Sequence, residues 1–147
     1  MAERAEGTKT IGASAADIME VLTDFEAYPD WTDVKKAEVT KSDKQGRASE
    51  VWYEVSQFGI TAKYTLAYRY SAGDGGMTWT TTSVEEGPIR DIQGEYVLEE
   101  LAEDETEVTY RMSLELRTKL PGILMKRGEK MIIKNALDGL KKRVEQG

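Results

Sequence analysis

The stretch Ile60-Thr-Ala-Lys-Tyr-Thr-Leu-Ala-Tyr-Arg-Tyr70 contains the clearest periodic pattern in the chain. Its apolar side chains alternate with mostly polar ones, so every second residue faces the same side of an extended strand. The sequence Gly73-Asp-Gly-Gly76 follows closely and is typical of a hairpin turn. The pattern therefore predicts a β-strand with one apolar face and an antiparallel partner after it.

Similar alternation continues on both sides of this strand. The further predicted strands are Thr8–Gly12, Val34–Lys41, Arg47–Phe58, 77–83, 92–98 and 108–116. The segments between the last six strands are short, and this is typical of an antiparallel meander. Such a sheet has one apolar face that another element must cover.

Helical periodicity appears in two places. Ser14 is a predicted N-cap, and the apolar residues after it predict a short helix that cannot continue past Pro29. From Gly122 onward no proline intervenes, and a helix there would be roughly 33 Å long, enough to cover the sheet. The stripe predicted to face the sheet consists of Leu124, Met125, Gly128, Met131, Ile132, Asn135, Ala136, Gly139 and Leu140.

The composition excludes several classes of site. The chain has 147 residues with no cysteine and no histidine, which rules out disulfides, thiolate metal sites and histidine-based triads. The net charge of −7 argues against nucleic-acid binding, for which a basic surface is usual. The length suits one domain over residues 1–147. No motif predicts a cofactor or a metal ion.

No targeting segment is predicted. The first seven residues are polar and charged, and no apolar run follows them. The longest apolar runs are only a few residues, far short of the roughly 20 that are needed to span a bilayer. We therefore expect a cytoplasmic protein.

Three segments carry a resemblance to a known family: Asp24-Phe-Glu-Ala-Tyr-Pro-Asp-Trp31, Leu120-Pro-Gly-Ile-Leu-Met-Lys-Arg127 and Gly139-Leu-Lys-Lys-Arg-Val144. With this order of elements, the chain is similar to the START-like (SRPBCC) superfamily, in particular its polyketide cyclase/dehydrase or lipid-transport branch. The resemblance implies an α+β helix-grip fold. In this fold a curved antiparallel sheet of about seven strands grips a long C-terminal helix, with two short helices after strand 1. It also implies a deep cavity for an apolar or amphipathic small molecule.

The inner face of such a sheet follows from strand parity. A dry core favours Leu, Ile, Val and Phe, because a buried tyrosine hydroxyl or tryptophan N–H needs a partner. The chain has seven Tyr and only two Phe, and most of the tyrosines fall on the predicted inner face, which indicates a wet or ligand-filled interior. The predicted ligand-binding residues are Tyr53, Phe58, Tyr64, Tyr68, Trp79, Tyr96, Tyr110, Met112, Leu124, Met131 and Asn135.

No catalytic residue is predicted. Proton transfer would fall to Asp, Glu, Lys, Tyr or Arg, but strand parity turns Glu50, Glu54 and Glu95 outward, and Arg90 is expected in a solvated loop. We therefore expect binding or transport of a hydrophobic or amphipathic molecule (lipid, polyketide or isoprenoid-like) and no enzyme. Two alternatives stay open. One is a polyketide cyclase, aromatase or dehydratase that works by shaping its substrate, and the other is a protein-interaction module with a filled core.

Charge is distributed unevenly along the chain. Residues 85–107 are strongly acidic, and residues 119–143 are predominantly basic. A solvated helix face explains the basic segment most simply. The sharper hypothesis is a peripheral contact of the basic helix face with an anionic membrane or an acidic partner. The identity of the ligand and the oligomeric state stay open.

Overall fold

The computed structural model describes residues 4–57, 60–117 and 122–146, with side chains in these ranges except at residues 4, 57 and 122–125. Its strands are β1 Arg4–Ile11, β2 Val34–Ser42, β3 Ala48–Gln57, β4 Ile60–Tyr70, β5 Gly76–Glu86, β6 Ile89–Ala102 and β7 Glu105–Leu116. Its helices are α1 Ala15–Thr23, a 3-10 helix at Phe25–Asp30, and α2 Gly122–Gln146.

Within the described ranges, the seven strands form one curved antiparallel sheet in the order β1-β7-β6-β5-β4-β3-β2. Strands β2 to β7 form the predicted meander, each paired with the next along the chain. Strand β1 adds to the far edge against β7, with Ala5 opposite Met112. Helix α2 packs against β1, β7 and α1, which confirms the predicted helix-grip fold.

Most strands are longer than local alternation predicts, and β6 shows the reason. Arg90, expected in a loop, lies in β6, where its guanidinium is 3.5 Å from a carboxylate oxygen of Glu115 on β7. At the same end of the strand, Ile89 pairs with Leu116. The extension depends on pairing with the far end of β7, whose residues are distant in sequence from this end of β6, so no local pattern reveals it.

The first helix begins where its capping residue predicts. The Ser14 hydroxyl accepts a hydrogen bond from the backbone N–H of Asp17 over 3.2 Å, which satisfies one of the unpaired donors at the helix start. After α1, Tyr28 in the 3-10 helix donates its hydroxyl to the Leu22 carbonyl over 2.5 Å. This bond ties the 3-10 helix, which contains Pro29, to the end of α1.

Helix α2 packs into the core along one edge of its predicted apolar stripe and the side next to it. An added Cβ at Gly7 on β1 would lie 2.5 Å from Ile133 Cγ2, so the helix approaches this strand closely where the strand has no side chain. This contact sets the side of α2 that carries Ile133 against β1. Its buried described side chains are Glu129, Ile133, Leu137 and Leu140, of which only Leu140 belongs to the predicted stripe.

Alanine substitutions at two glycines of α2 are expected to change stability in opposite directions. A Cβ at Gly139 would lie 2.7 Å from the backbone oxygen of Trp31, so Gly139→Ala should lower the free energy of unfolding by about 1–2 kcal/mol. Among the described residues, nothing lies within 4 Å of a Cβ at Gly128. Gly128→Ala should therefore raise the free energy of unfolding by about 0.5–1 kcal/mol through helix propensity. Urea denaturation measures both values, and effects of the same sign would contradict the close contact at Trp31.

Candidate ligand-binding cavity

A cavity of about 400 Å³ lies between the inner face of the sheet and α2. This volume falls within the range that is typical of small-molecule sites. Alternate residues of β3 to β7 form most of its wall, and the 3-10 helix, the start of β2 and one side of α2 complete it. The wall is predominantly apolar and aromatic.

Cross-strand register gathers aromatic side chains on this wall. Directly opposed residues on adjacent strands have Cβ atoms about 4.5–5.5 Å apart, so large side chains on the same face touch. Three such aromatic pairs form across the strands. Their ring centroids are 5.8 Å apart for Tyr53 with Tyr64, 5.8 Å for Tyr68 with Trp79, and 4.7 Å for Tyr96 with Tyr110.

Trp79 lies at the centre of the wall. Its ring centroid is 5.4 Å from that of Tyr96 and 5.6 Å from that of Tyr110. Gly94 lies opposite Trp79 on β6, and a Cβ there would be 2.4 Å from Trp79 Cζ2. The missing side chain at Gly94 therefore lets the indole lie against the backbone of β6 instead of filling the cavity.

The tyrosine hydroxyls on the wall fall into two groups. Those of Tyr53 and Tyr68 bond to each other, with their oxygens 2.6 Å apart. Those of Tyr64, Tyr96 and Tyr110 make no hydrogen bond within the described parts of the chain. Because an unsatisfied hydroxyl is costly away from water, these three groups are available to water or to a polar atom of a guest.

These phenols are neutral near pH 7, as tyrosines ordinarily are, and burial raises their pKa further. Desolvation raises the pKa of Tyr64 to about 12. Desolvation also raises the pKa of Tyr110, and repulsion from the Tyr64 phenolate adds to that shift. A neutral phenol donates or accepts hydrogen bonds and does not act as a base. Burial likewise raises the pKa of the other wall tyrosines, Tyr28, Tyr53, Tyr68 and Tyr96.

The mouth of the cavity lies between the start of β2 and the outward side of α2. Asp33 and Asn135 both line the cavity and both are exposed, so they mark the entrance. Beside them, the ring of Trp31 meets that of Tyr28 edge-on at 5.1 Å, while its backbone oxygen contacts α2 at Gly139. Trp31 is therefore both a packing anchor and part of the cavity wall.

The structure brings most of the predicted ligand-binding residues together. Phe58 lies outside the described residues, as does the side chain of Leu124. The predicted placement of Met131 is wrong: it is 51% exposed, whereas Ile132 and Ala136 of the same predicted stripe line the cavity. Contact of any of these residues with a ligand stays a prediction. The predicted residues that line the cavity are Tyr53, Tyr64, Tyr68, Trp79, Tyr96, Tyr110, Met112 and Asn135.

Further residues line the cavity beyond those predicted. Val55 and Leu66 lie on the same strand faces as the wall tyrosines, so strand parity could have identified both. Tyr28 and Trp31 carry no such signal, because the 3-10 helix and the residue after it bring them to the wall from outside the sheet.

The strand carboxylates point away from the cavity, in agreement with strand parity. Of the described wall residues, Asp33 alone carries a charge, so no acid–base pair is found there. Within the described ranges, no group of three or more His, Cys, Asp or Glu side chains is placed to hold a metal ion. The outward ion pairs are Glu50 with Lys41 (3.2 Å), Glu54 with Lys35 (3.6 Å) and Glu95 with Arg111 (3.1 Å).

Among the residues that the structure describes, no helix is both long enough and apolar enough to cross a membrane. The longest helix, α2, carries basic side chains along its exposed side.

Solved structures with this fold include proteins of different described roles. A START superfamily protein from Mycobacterium smegmatis has a TM-score of 0.89 at 23% identity, with 97% of each chain covered. The ZhuI aromatase/cyclase from Streptomyces sp. R1128 has a TM-score of 0.80 at 18% identity, covering 99% of this chain and 95% of that one. A STAR-related lipid transfer protein from Xanthomonas axonopodis has a TM-score of 0.71 at 24% identity, covering 97% and 85%. At these identities the likeness shows a shared fold.

Sequence comparison identifies the family. No curated protein matches the chain. Residues 11–141 match the family described as polyketide cyclase / dehydrase and lipid transport, and the matched segment includes all the described residues that line the cavity. The chain therefore belongs to the polyketide cyclase / dehydrase and lipid-transport family.

Proposed function

We propose that the protein binds or carries an apolar or amphipathic small molecule, such as a lipid, polyketide or isoprenoid-like compound, in this cavity. The observation that supports the proposal is a space of about 400 Å³ with an aromatic wall. The alternative of a protein-interaction module requires a core that is filled by the protein's own side chains. A cavity of this size argues against such a core.

The distribution of polar groups indicates the kind of guest. Buried apolar side chains such as Met77 and Met112 form the inner part of the wall, where an apolar body would lie. The unbonded hydroxyls of Tyr64, Tyr96 and Tyr110 offer hydrogen bonds to oxygen atoms of the guest. Ligand sites commonly combine an apolar wall with a few placed polar groups in this way.

The tryptophans provide a direct test of occupancy. Trp52 bonds through its indole N–H to Glu85, 3.2 Å away, and does not line the cavity, whereas Trp31 and Trp79 do. In a Trp52→Phe background, we expect emission to change on addition of anilinonaphthalene sulfonate, palmitate or the hydroxyanthraquinone emodin. Native mass spectrometry of freshly purified protein looks for a retained natural guest. No retained molecule and no emission change with any of the three probes would overturn the proposal.

Filling the cavity from α2 should weaken binding of such probes. Ala136 lines the cavity, so the indole introduced by Ala136→Trp occupies space that the guest needs. We expect affinity for anilinonaphthalene sulfonate, measured by isothermal titration calorimetry, to fall at least tenfold, which corresponds to about 1.4 kcal/mol. The matched control is Lys142→Trp, which adds the same side chain at an exposed position of the same helix. Equal affinities of the two folded variants would contradict the assigned site.

A polyketide cyclase, aromatase or dehydratase activity is the second candidate. The hydroxyls of Tyr64, Tyr96 and Tyr110 favour it, because neutral phenols can hold carbonyl oxygens of a flexible substrate and so select a reactive conformation. Incubation with a linear poly-β-ketone, followed by mass spectrometry for loss of water and by absorbance for ring formation, tests this activity. Product formation no faster than in buffer would remove the candidate.

A further inference from the structure

The exposed side of α2 carries basic residues around one apolar side chain. Arg127, Lys130, Met131 and Lys134 occupy positions i, i+3, i+4 and i+7 and therefore share one face of the helix. The three basic residues are exposed, and Met131 is 51% exposed. These four residues are named the basic patch.

The positive charge of the basic patch is only partly compensated. Within the described part of the chain, no ion pair involves Arg127 or Lys130, whereas Lys134 lies 3.0 Å from Asp138, which also pairs with Lys9. Glu129 is the one acidic residue between positions 126 and 135, and its side chain is buried. The patch is therefore a cationic surface on a protein whose net charge is −7.

The basic patch adjoins the mouth of the cavity. Asn135 follows Met131 by one helical turn and is an exposed residue of the cavity wall. Ile132, next to Met131, also lines the cavity. A surface that attracts the patch would therefore lie close to the entrance.

We propose that the basic patch docks the protein on an anionic phospholipid surface, with Met131 inserted among the headgroups. The long stems of Arg127 and Lys130 can lie along apolar material while their charged ends contact phosphate. An acidic protein surface would satisfy the charges but would give no role to the exposed apolar centre. The acidic segment 85–107 is repelled by the same surface, and this orients the molecule with α2 towards the membrane.

Co-sedimentation with vesicles tests whether the charge of the basic patch contributes to membrane binding. The vesicles consist of phosphatidylcholine alone or of phosphatidylcholine mixed with phosphatidylglycerol, and no ligand for the cavity is added. We expect the protein to bind the mixed vesicles at least tenfold more strongly at low salt, and to lose this preference at high salt. Lys130→Glu should weaken binding to mixed vesicles about tenfold. Lys44→Glu makes the same charge change at an exposed position between β2 and β3, away from α2, and should weaken binding no more than twofold.

A second pair of variants tests whether the apolar side chain of Met131 contributes to membrane binding. Met131→Ser should weaken binding to mixed vesicles several-fold, whereas Leu101→Ser, at a residue of β6 with the same 51% exposure, should leave it unchanged. Equal binding to both kinds of vesicle, or equal losses within either pair of folded variants, overturns the proposal. Salt-dependent binding of polyglutamate without binding of mixed vesicles also overturns it, in favour of an acidic protein partner. None of these outcomes affects cavity binding, which is measured in solution with small probes.

Discussion

Raising the pH above 10 is expected to unfold the protein in one cooperative transition. All seven tyrosines lie within the described ranges, and burial raises the pKa of each one. In the unfolded chain, tyrosine has a pKa of about 10, so the unfolded state releases its phenolic protons first. The stabilisation is therefore fully present below pH 10 and is lost as the pH rises through the folded-state values, which are about 12 for Tyr64 and Tyr70.

The expected effect is large because many phenols act together. Each buried tyrosine lowers the free energy of unfolding by about 1.4 kcal/mol per pH unit above 10. If half-buried Tyr70 is left out of the sum, ionisation of the other tyrosines lowers the free energy of unfolding by on the order of 8 kcal/mol at about pH 11. This is comparable to the whole stability of an ordinary domain, about 5–15 kcal/mol.

Phenolate absorbance and far-ultraviolet circular dichroism, followed together against pH, check this result. Both signals should change together between about pH 10 and 12, whereas in guanidinium the tyrosines should titrate near pH 10. Ionisation of several tyrosines near pH 10 with an unchanged circular dichroism spectrum would show that the phenols are not buried.

Gly94→Ala is expected to lower both stability and ligand affinity. The new Cβ would lie 2.4 Å from Cζ2, 2.5 Å from Cε2 and 2.7 Å from Nε1 of Trp79, so the rigid indole must move. The indole has the sheet backbone on one side, and the free space is the cavity on the other. We expect the free energy of unfolding to fall by about 3 kcal/mol, and the affinity for anilinonaphthalene sulfonate to fall at least tenfold.

Gly7→Ala separates the two effects of the Gly94 substitution. Its Cβ would meet Ile133 and Leu137 of α2, which are buried core residues that do not line the cavity. We therefore expect a loss of about 1–2 kcal/mol in the free energy of unfolding with little change in probe affinity. Urea denaturation and probe titration below the unfolding range provide the two measurements. Unchanged probe affinity in Gly94→Ala would show that Trp79 does not shape the site.

Much of the sheet contribution to the cavity was predictable from sequence. Tyr64 and Tyr68 face the cavity because residues two apart on a strand share a face, and their alternation with polar residues is visible in the chain itself. For Asn135, the sequence showed only that a polar residue interrupts an apolar helix stripe, and it did not place that residue at the mouth. Whether such an interruption lies inside a cavity or at its entrance depends on the rotation of the helix, which its own residues do not set.

By itself, the sequence determined the order of strands and helices and the apolar face of each strand, because alternation, turn glycines and the Ser14 cap act between neighbouring residues. Only the tertiary structure decided the orientation of α2, and with it which residues of the predicted stripe line the cavity and which are exposed. That orientation depends on backbone approaches at Gly7 and Gly139, where α2 contacts elements far away in the chain. The same contacts place Met131 outside the cavity and hold Trp31 on its wall. A helix with apolar residues on more than one side has no local preference between such orientations, so close packing makes the choice.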